Sequence, residues 1–240
     1  MEENQEAKKA AGKIARIIGI VAIVGVITAA MIISFTHKVP NSEKVWDKDT
    51  TMGNLDAENY FIIYSDIVCP YCVAFENAII ENEEDFKNYI EKNDVLIEVR
   101  LSDFLFEYGQ NNPISSRYSA EAVYCAKKEG KFWDYYNHVI PTVWNNYFKV
   151  TGKNAFMELN AKGKDFWISI GKEVGLGNDF EKCVKEDETL PEIMEIAKKT
   201  VDVIDGMPYF KFNKYIFSGF SLDQGYEHVK MHLDSGLKSK

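Results

Sequence analysis

Residues 64–72 read Tyr64-Ser65-Asp66-Ile67-Val68-Cys69-Pro70-Tyr71-Cys72. Just before them, Asn59 to Tyr64 is a short run of aromatic and β-branched residues, the pattern of a strand buried on both faces. Just after them, Phe75, Ile79, Phe86 and Ile90 recur at i, i+4, i+11 and i+15, one stripe of a helix. Val95, Ile97, Val99 and Leu101 then alternate against Glu98 and Arg100, a second strand. Strand, helix and strand in this order predict a βαβ unit with a cysteine pair at its first strand-to-helix junction.

Two cysteines two residues apart can supply half of a zinc site or can cycle between dithiol and disulfide. Zinc needs two further ligands at matching spacing. Cys125 and Cys183 each stand alone, and His37, His138, His228 and His232 form no ligand pair with them. Two thiols that merely pack are the third reading, and packing does not select a Pro-Tyr pair at a helix start. The redox reading has a mechanism. A cysteine at the helix N-cap meets free N–H groups and the positive end of the dipole, which favour a thiolate. Pro70 suits the first helical turn because its missing N–H costs nothing there. Cys72 follows one turn on. The expectation is an exposed Cys69 and a more buried Cys72.

Outward from this unit, residues 114–205 show helical periods and no convincing strand. Ser115 or Ser116 is placed to cap a helix through Ala120, Ala122 and Cys125. Phe132, Trp133, Tyr136 and Val139 make the next apolar face, and Phe156–Val174 and Thr189–Ile204 read as further helices. Phe132, Trp133, Trp144 and Trp167 read as core. Gly206-Met207-Pro208 then opens a pair of strands, Pro208–Phe212 and Tyr215–Phe217, around an Asn213-Lys214 turn. Pro suits the first residue of a strand, where no ladder bond is asked of it. Leu222, Tyr226, Val229 and Leu233 share a face of a last helix. The fold class is α/β.

Toward the N-terminus, Ile17–Phe35 is a run of 19 apolar or small residues without a charge. At 1.5 Å per residue it spans about 29 Å, the thickness of a bilayer core. It is longer than a signal-peptide core and lacks a good cleavage site after it, so it reads as an uncleaved transmembrane signal anchor, with a cleaved signal as the alternative. Lys8, Lys9, Lys13 and Arg16 precede it, against Lys38, Lys44 and Lys48 after it. That bias favours a cytoplasmic tail at 1–16 and a C-terminal domain on the extracytoplasmic side. The polar residues 36–58 read as a stalk, and 59–238 as the domain. The whole chain has 240 residues, with 28 Lys plus Arg against 37 Asp plus Glu, a net charge of −9. That balance excludes the basic footprint of a nucleic-acid binder.

The 64–72 segment, a helical block, and Gly206-Met207-Pro208 before a hairpin together resemble a DsbA-like thiol:disulfide oxidoreductase of thioredoxin fold. Gly53-Asn54 and Asp56-Ala57 before the first strand, Ala120-Glu121-Ala122 leading to Cys125, and Gly130-Lys131-Phe132-Trp133 resemble its exported, membrane-linked members. The resemblance covers about residues 52–238. It implies a thioredoxin fold with a helical domain inserted at about 114–205, a cis Pro208 packed against Cys69 and Cys72, and disulfide exchange outside the cytoplasm. It implies no cofactor and no metal. Pro70, Tyr71 and the Met207 backbone are the substrate contacts it suggests. The partners it implies are exported cysteine-containing proteins and a membrane redox protein that reoxidises the pair. There is one departure. Many relatives carry a buried acid six residues before the first cysteine, and here that position is Ile63.

Cys125 and Cys183 read as a structural disulfide, because free cysteines are uncommon on exported domains. Two separate buried thiols are the alternative. Three functions compete: an oxidase of exported proteins, a reductase or isomerase of the same fold, and a binding module whose cysteines no longer turn over.

Overall fold

Asn59–Ser65 and Val95–Leu101 are strands, and they pair in parallel from Asn59 opposite Val95 to Ser65 opposite Leu101. This comes from a computed structural model that describes residues 46–109, 111–149, 153–204 and 206–239. The transmembrane span expected at 17–35, the tail before it and residues 36–45 of the stalk lie outside the described residues. Among the described residues no helix is long and apolar enough to cross a membrane.

In chain order the elements are β1 (Thr51–Met52), β2 (Asn59–Ser65), α1 (Pro70–Ile80), α2 (Glu83–Lys92) and β3 (Val95–Leu101). Helices α3 (Phe104–Tyr108), α4 (Ile114–Lys128), α5 (Phe132–Val143), α6 (Lys153–Asn160), α7 (Lys164–Glu173), α8 (Asn178–Lys185) and α9 (Leu190–Val201) follow. The chain closes with β4 (Tyr209–Phe212), β5 (Tyr215–Ser218) and α10 (Tyr226–Leu237). The sheet order is β1-β3-β2-β4-β5, with β2 and β3 parallel and every other neighbour antiparallel. Central β2 is buried on both faces. Phe61 and Ile63 join the main core, while Ile62 and Tyr64 pack with Phe104 and Ile204 on the other side. Helix α10 lies close on β4: a Cβ at Gly236 would sit 2.2 Å from the Phe212 ring, so only glycine fits there.

Several expectations from periodicity are corrected. The single stripe Phe75–Ile90 is carried by two helices. Asn82 breaks it, its Nδ2 donating to the Ala78 carbonyl at 2.9 Å. Glu83, Glu84 and Asp85 then supply negative charge to a new helix N-terminus. Phe156–Val174 likewise splits into α6 and α7, with Gly163 at the new start. Neither Ser115 nor Ser116 caps α4; Pro113 stands at that position with no side-chain cap. Leu222 is not on the last helix, which begins at Tyr226, and its side chain is exposed.

Helix α3 and a π-helical turn at Trp144–Phe148 escaped the periodicity reading, and α8 was read only as a helix around Cys183. Five- and eight-residue helices carry too few turns to show a period. A short helix at Phe104–Tyr108 thus stands between β3 and the helical block that starts at Ile114. Residues 46–58, read as the end of a stalk, contain β1, which pairs with β3, and Trp46, whose ring lies 5.8 Å from that of Tyr60. Two paired residues give no alternation to detect.

Candidate active site

The β2 strand runs into a loop that is held by one side chain. Asp66 is fully buried. Its Oδ1 accepts the Val68 N–H at 3.0 Å, an Asx turn. Its Oδ2 accepts the Leu105 N–H at 2.9 Å and the Ser116 hydroxyl at 2.6 Å. The Cys69 N–H donates to the Asp66 carbonyl at 3.0 Å. The loop that presents Cys69 is thus tied to both α3 and α4. Burial pushes the Asp66 carboxyl up to about 6, against the pull of these three donors.

Cys69 is the N-cap of α1, and Pro70 opens the first turn. The Cys72 N–H donates to Cys69 Sγ at 3.4 Å, so the sulfur satisfies one of the free helix N–H groups. Both cysteines are free thiols. The expected contrast in exposure is corrected: Cys69 is 3% and Cys72 1% exposed. Tyr71 is the exposed member of the motif. Burial pushes the Cys72 thiol well up, and the neighbouring Cys69 and Glu76 push it the same way.

The Met207–Pro208 bond is cis. Tyr64 pairs with Tyr209, so Pro208 stands at the carboxyl end of β2, the edge from which the Cys69 loop leaves. Met207 packs, partly buried, against the cluster of Ile62, Tyr64, Phe104 and Ile204. Cys125 and Cys183 are joined by a disulfide that links α4 to α8. Phe132 and Trp167 are buried core residues, with Trp133 and Trp144 packed partly buried against the core.

One residue that sequence reasoning missed belongs here. Glu76 follows Cys72 by one helical turn and is 2% exposed. Desolvation raises its carboxyl to about 7, while the nearby Ser65 and Tyr136 hydroxyls favour its ionised form. Neither of its oxygens completes a hydrogen bond within the described residues. The available signal was the spacing. An acid four residues after a buried cysteine shares its helix face.

A thiolate at a helix start with a second thiol one turn on can attack a disulfide and then be released by its neighbour, or run the same exchange in reverse.

A Thioredoxin family model matches residues 46–235. No curated protein sequence matches the chain. Among solved structures, a thioredoxin-like oxidoreductase from Silicibacter pomeroyi is 18% identical, with a TM-score of 0.54 over 81% of this chain and 95% of that one. BdbD from Bacillus subtilis, oxidised, is 16% identical, with a TM-score of 0.56 over 79% and 92%. Alpha-DsbA1 from Wolbachia pipientis is 14% identical, with a TM-score of 0.56 over 80% and 92%. At such identities the likeness to these structures is one of fold. The family model spans the sheet, the cysteine junction and the helical insertion together, and by that match the chain belongs to the thioredoxin family.

Proposed function

We propose that this chain is a thiol:disulfide oxidoreductase of DsbA type, anchored in the membrane through Ile17–Phe35 and oxidising exported proteins. The observation that carries the exchange activity is the pair of free thiols at the start of α1, with Cys69 Sγ accepting the Cys72 N–H. A substrate thiolate attacks Cys69 Sγ of the oxidised pair, the bond to Cys72 Sγ breaks, and a mixed disulfide forms through Cys69. A second substrate thiolate then attacks its own mixed-disulfide sulfur, leaving Cys69 as thiolate and the substrate oxidised. The Met207 backbone, just ahead of cis Pro208 and the start of β4, is the segment read as pairing with an extended substrate by strand addition. Structures of this fold described as a thiol-disulfide exchange protein from Wolbachia pipientis and a disulfide bond oxidoreductase from Mycobacterium tuberculosis support the reading. The uncharged run behind Lys13 and Arg16 supports the export of the domain.

A redox titration of the full chain in detergent tests the direction. An oxidase is expected near the oxidising end of the range, about −120 mV, and a thioredoxin-like reductase near about −270 mV. Oxidation of a reduced, unfolded substrate by the disulfide form is the second measurement. Insulin reduction with a low potential would turn the reading to a reductase. Absence of exchange in both directions would leave only a binding module.

A further inference from the structure

Ile63 and Glu76 line one cavity. Its walls include Ile97, Val99 and Tyr136, and its volume is about 40 Å³. A water needs about 10–15 Å³ on this scale, so the space has room for a few waters, with the Glu76 carboxyl as a polar partner in an otherwise mostly apolar wall. Glu76 is its buried charged group, with no hydrogen-bond partner of its own among the described residues. The cavity continues to Glu83, Lys87 and Asn137. Glu83 and Lys87 are exposed and form an ion pair at 2.5 Å, and Asn137 is half-buried. Those residues mark the mouth. The same cavity is lined by Ile79 and Ile80, the last residues of the 11-residue helix α1, about 16 Å along its axis from Cys69.

We propose that Glu76 exchanges a proton with Cys72 and passes it to solvent through this cavity, at the end of α1 remote from the sulfur that substrate attacks. The inference rests on the exchange function proposed above. In substrate oxidation the Cys69–Cys72 bond breaks as substrate thiolate bonds to Cys69 Sγ. Cys72 leaves as thiolate and takes the proton of the Glu76 carboxylic acid, and the Glu76 carboxylate is reprotonated from solvent. In the reverse direction the Glu76 carboxylate takes the Cys72 proton, and the Cys72 thiolate attacks Cys69 Sγ and expels the substrate thiolate. A path that leaves at the back stays open while a substrate covers the front. It also gives Ile63 a reason: an apolar residue on β2 leaves space in the cavity for an acid delivered from α1.

The titratable and charged groups around Glu76 are Cys72 on its own helix, Asp66 on the preceding loop, Tyr136 on α5, and Glu83 and Lys87 on α2. Strand β3 presents only Ile97 and Val99 to the cavity. A carboxyl near neutrality in this setting accepts and returns a proton with equal ease.

The test compares the full chain in detergent with its Glu76→Gln form, following exchange with dithiothreitol by acid quench and mass mapping. At pH 7 the variant is expected to be about 100-fold slower, the low end for general acid–base catalysis. The inflection of the wild-type rate near neutrality is expected to vanish, and the two rates to converge at high pH. Ile63→Glu combined with Glu76→Gln returns an acid to the same cavity from β2 and should recover most of the rate. Asn137→Phe narrows the mouth and should slow exchange with a protein substrate. In the wild-type protein, the ¹³C-labelled Glu76 carboxyl should titrate near neutrality when the cysteines are reduced and shift when they are oxidised. A Glu76 carboxyl ionised from pH 5 upward overturns the inference, whether or not the variants fold. So does a Glu76→Gln protein with the wild-type rate and pH profile. If the wild type itself shows no exchange, the function fails first.

Discussion

Ser116 on α4 donates its hydroxyl to Asp66 on the loop before Cys69, 2.6 Å from Oδ2, and both side chains are fully buried. The helical insertion is therefore bonded to the active-site loop, and the position of Cys69 depends on residues fifty places apart in sequence. Ser116→Ala removes one of three donors to a buried acid. A hydrogen bond to a charged group contributes about 1.5–3 kcal/mol, and a loss of that size is expected in urea unfolding. Stability within a few tenths of wild type would show that the loop is held by its backbone bonds alone.

The buried acids give the reduced protein an uncommon pH dependence. Glu76 and Glu121 rise from 4.5 to about 7 on folding and Asp66 from 3.8 to about 6, each chiefly because burial disfavours the charge, and Glu98 and Asp103 are raised for the same reason. An acid with a raised folded value binds more protons folded than unfolded within that window. Its contribution is complete below the unfolded value and is lost as pH rises through the folded one. The gap for Glu76 corresponds to on the order of 3 kcal/mol. The surface acids with lowered values, Glu181, Glu188 and Glu195, act below about 4.5 and leave this window untouched. Urea midpoints of the reduced protein should fall from pH 5 to pH 7, and Glu76→Gln should flatten part of the slope, with Glu121 and Asp66 carrying the rest. A midpoint that climbs over this range would contradict the assignment.

Much of this was legible in sequence, and the residues show why. Strands β2 and β3 were plain from their apolar and alternating runs, and the junction between them from Cys69-Pro70-Tyr71-Cys72. The hairpin around Asn213 was plain because Asn tolerates the positive φ, here 53°, that a tight turn asks for. Helix boundaries were not. The apolar stripe from Phe75 to Ile90 keeps its phase across Asn82, so periodicity alone cannot see that a side chain has taken a helix carbonyl there. Ser116 carried a capping signature but is used by Asp66, fifty residues earlier. Glu76 leaves no mark on β2, where relatives carry their acid; only tertiary packing brings it from α1 to the cavity that Ile63 lines.

The Cys125–Cys183 bridge is expected to stabilise the helical insertion. It closes a loop with a sequence separation of 58, for which chain entropy gives roughly 4 kcal/mol. The half-cystines are 1% and 5% exposed, so a reductant has little access to them. Mild reduction that opens Cys69–Cys72 should leave this bridge intact in peptide maps. Cys125→Ala with Cys183→Ala should lower unfolding stability by about 2–5 kcal/mol. Opening of both pairs at one reductant concentration would show that burial gives no protection.

The order in which Cys69 and Cys72 react is the sharpest check on their roles. Exposure does not decide it, since both are buried. Acidity does. The thiolate is the nucleophile, and the Cys72 thiol is held well up by burial, by its contact with Cys69 and by the Glu76 carboxylate one turn on. Cys69 Sγ sits at the end of α1, accepting a backbone N–H and facing the positive end of the dipole. Iodoacetamide applied to the reduced chain at pH 7 should therefore label Cys69 before Cys72, and a Cys72→Ala protein should trap a mixed disulfide through Cys69. Glu76→Gln removes one of the charges that raises Cys72 and should narrow the gap between the two labelling rates. Labelling that begins at Cys72 would reverse the roles of attacking and resolving sulfur.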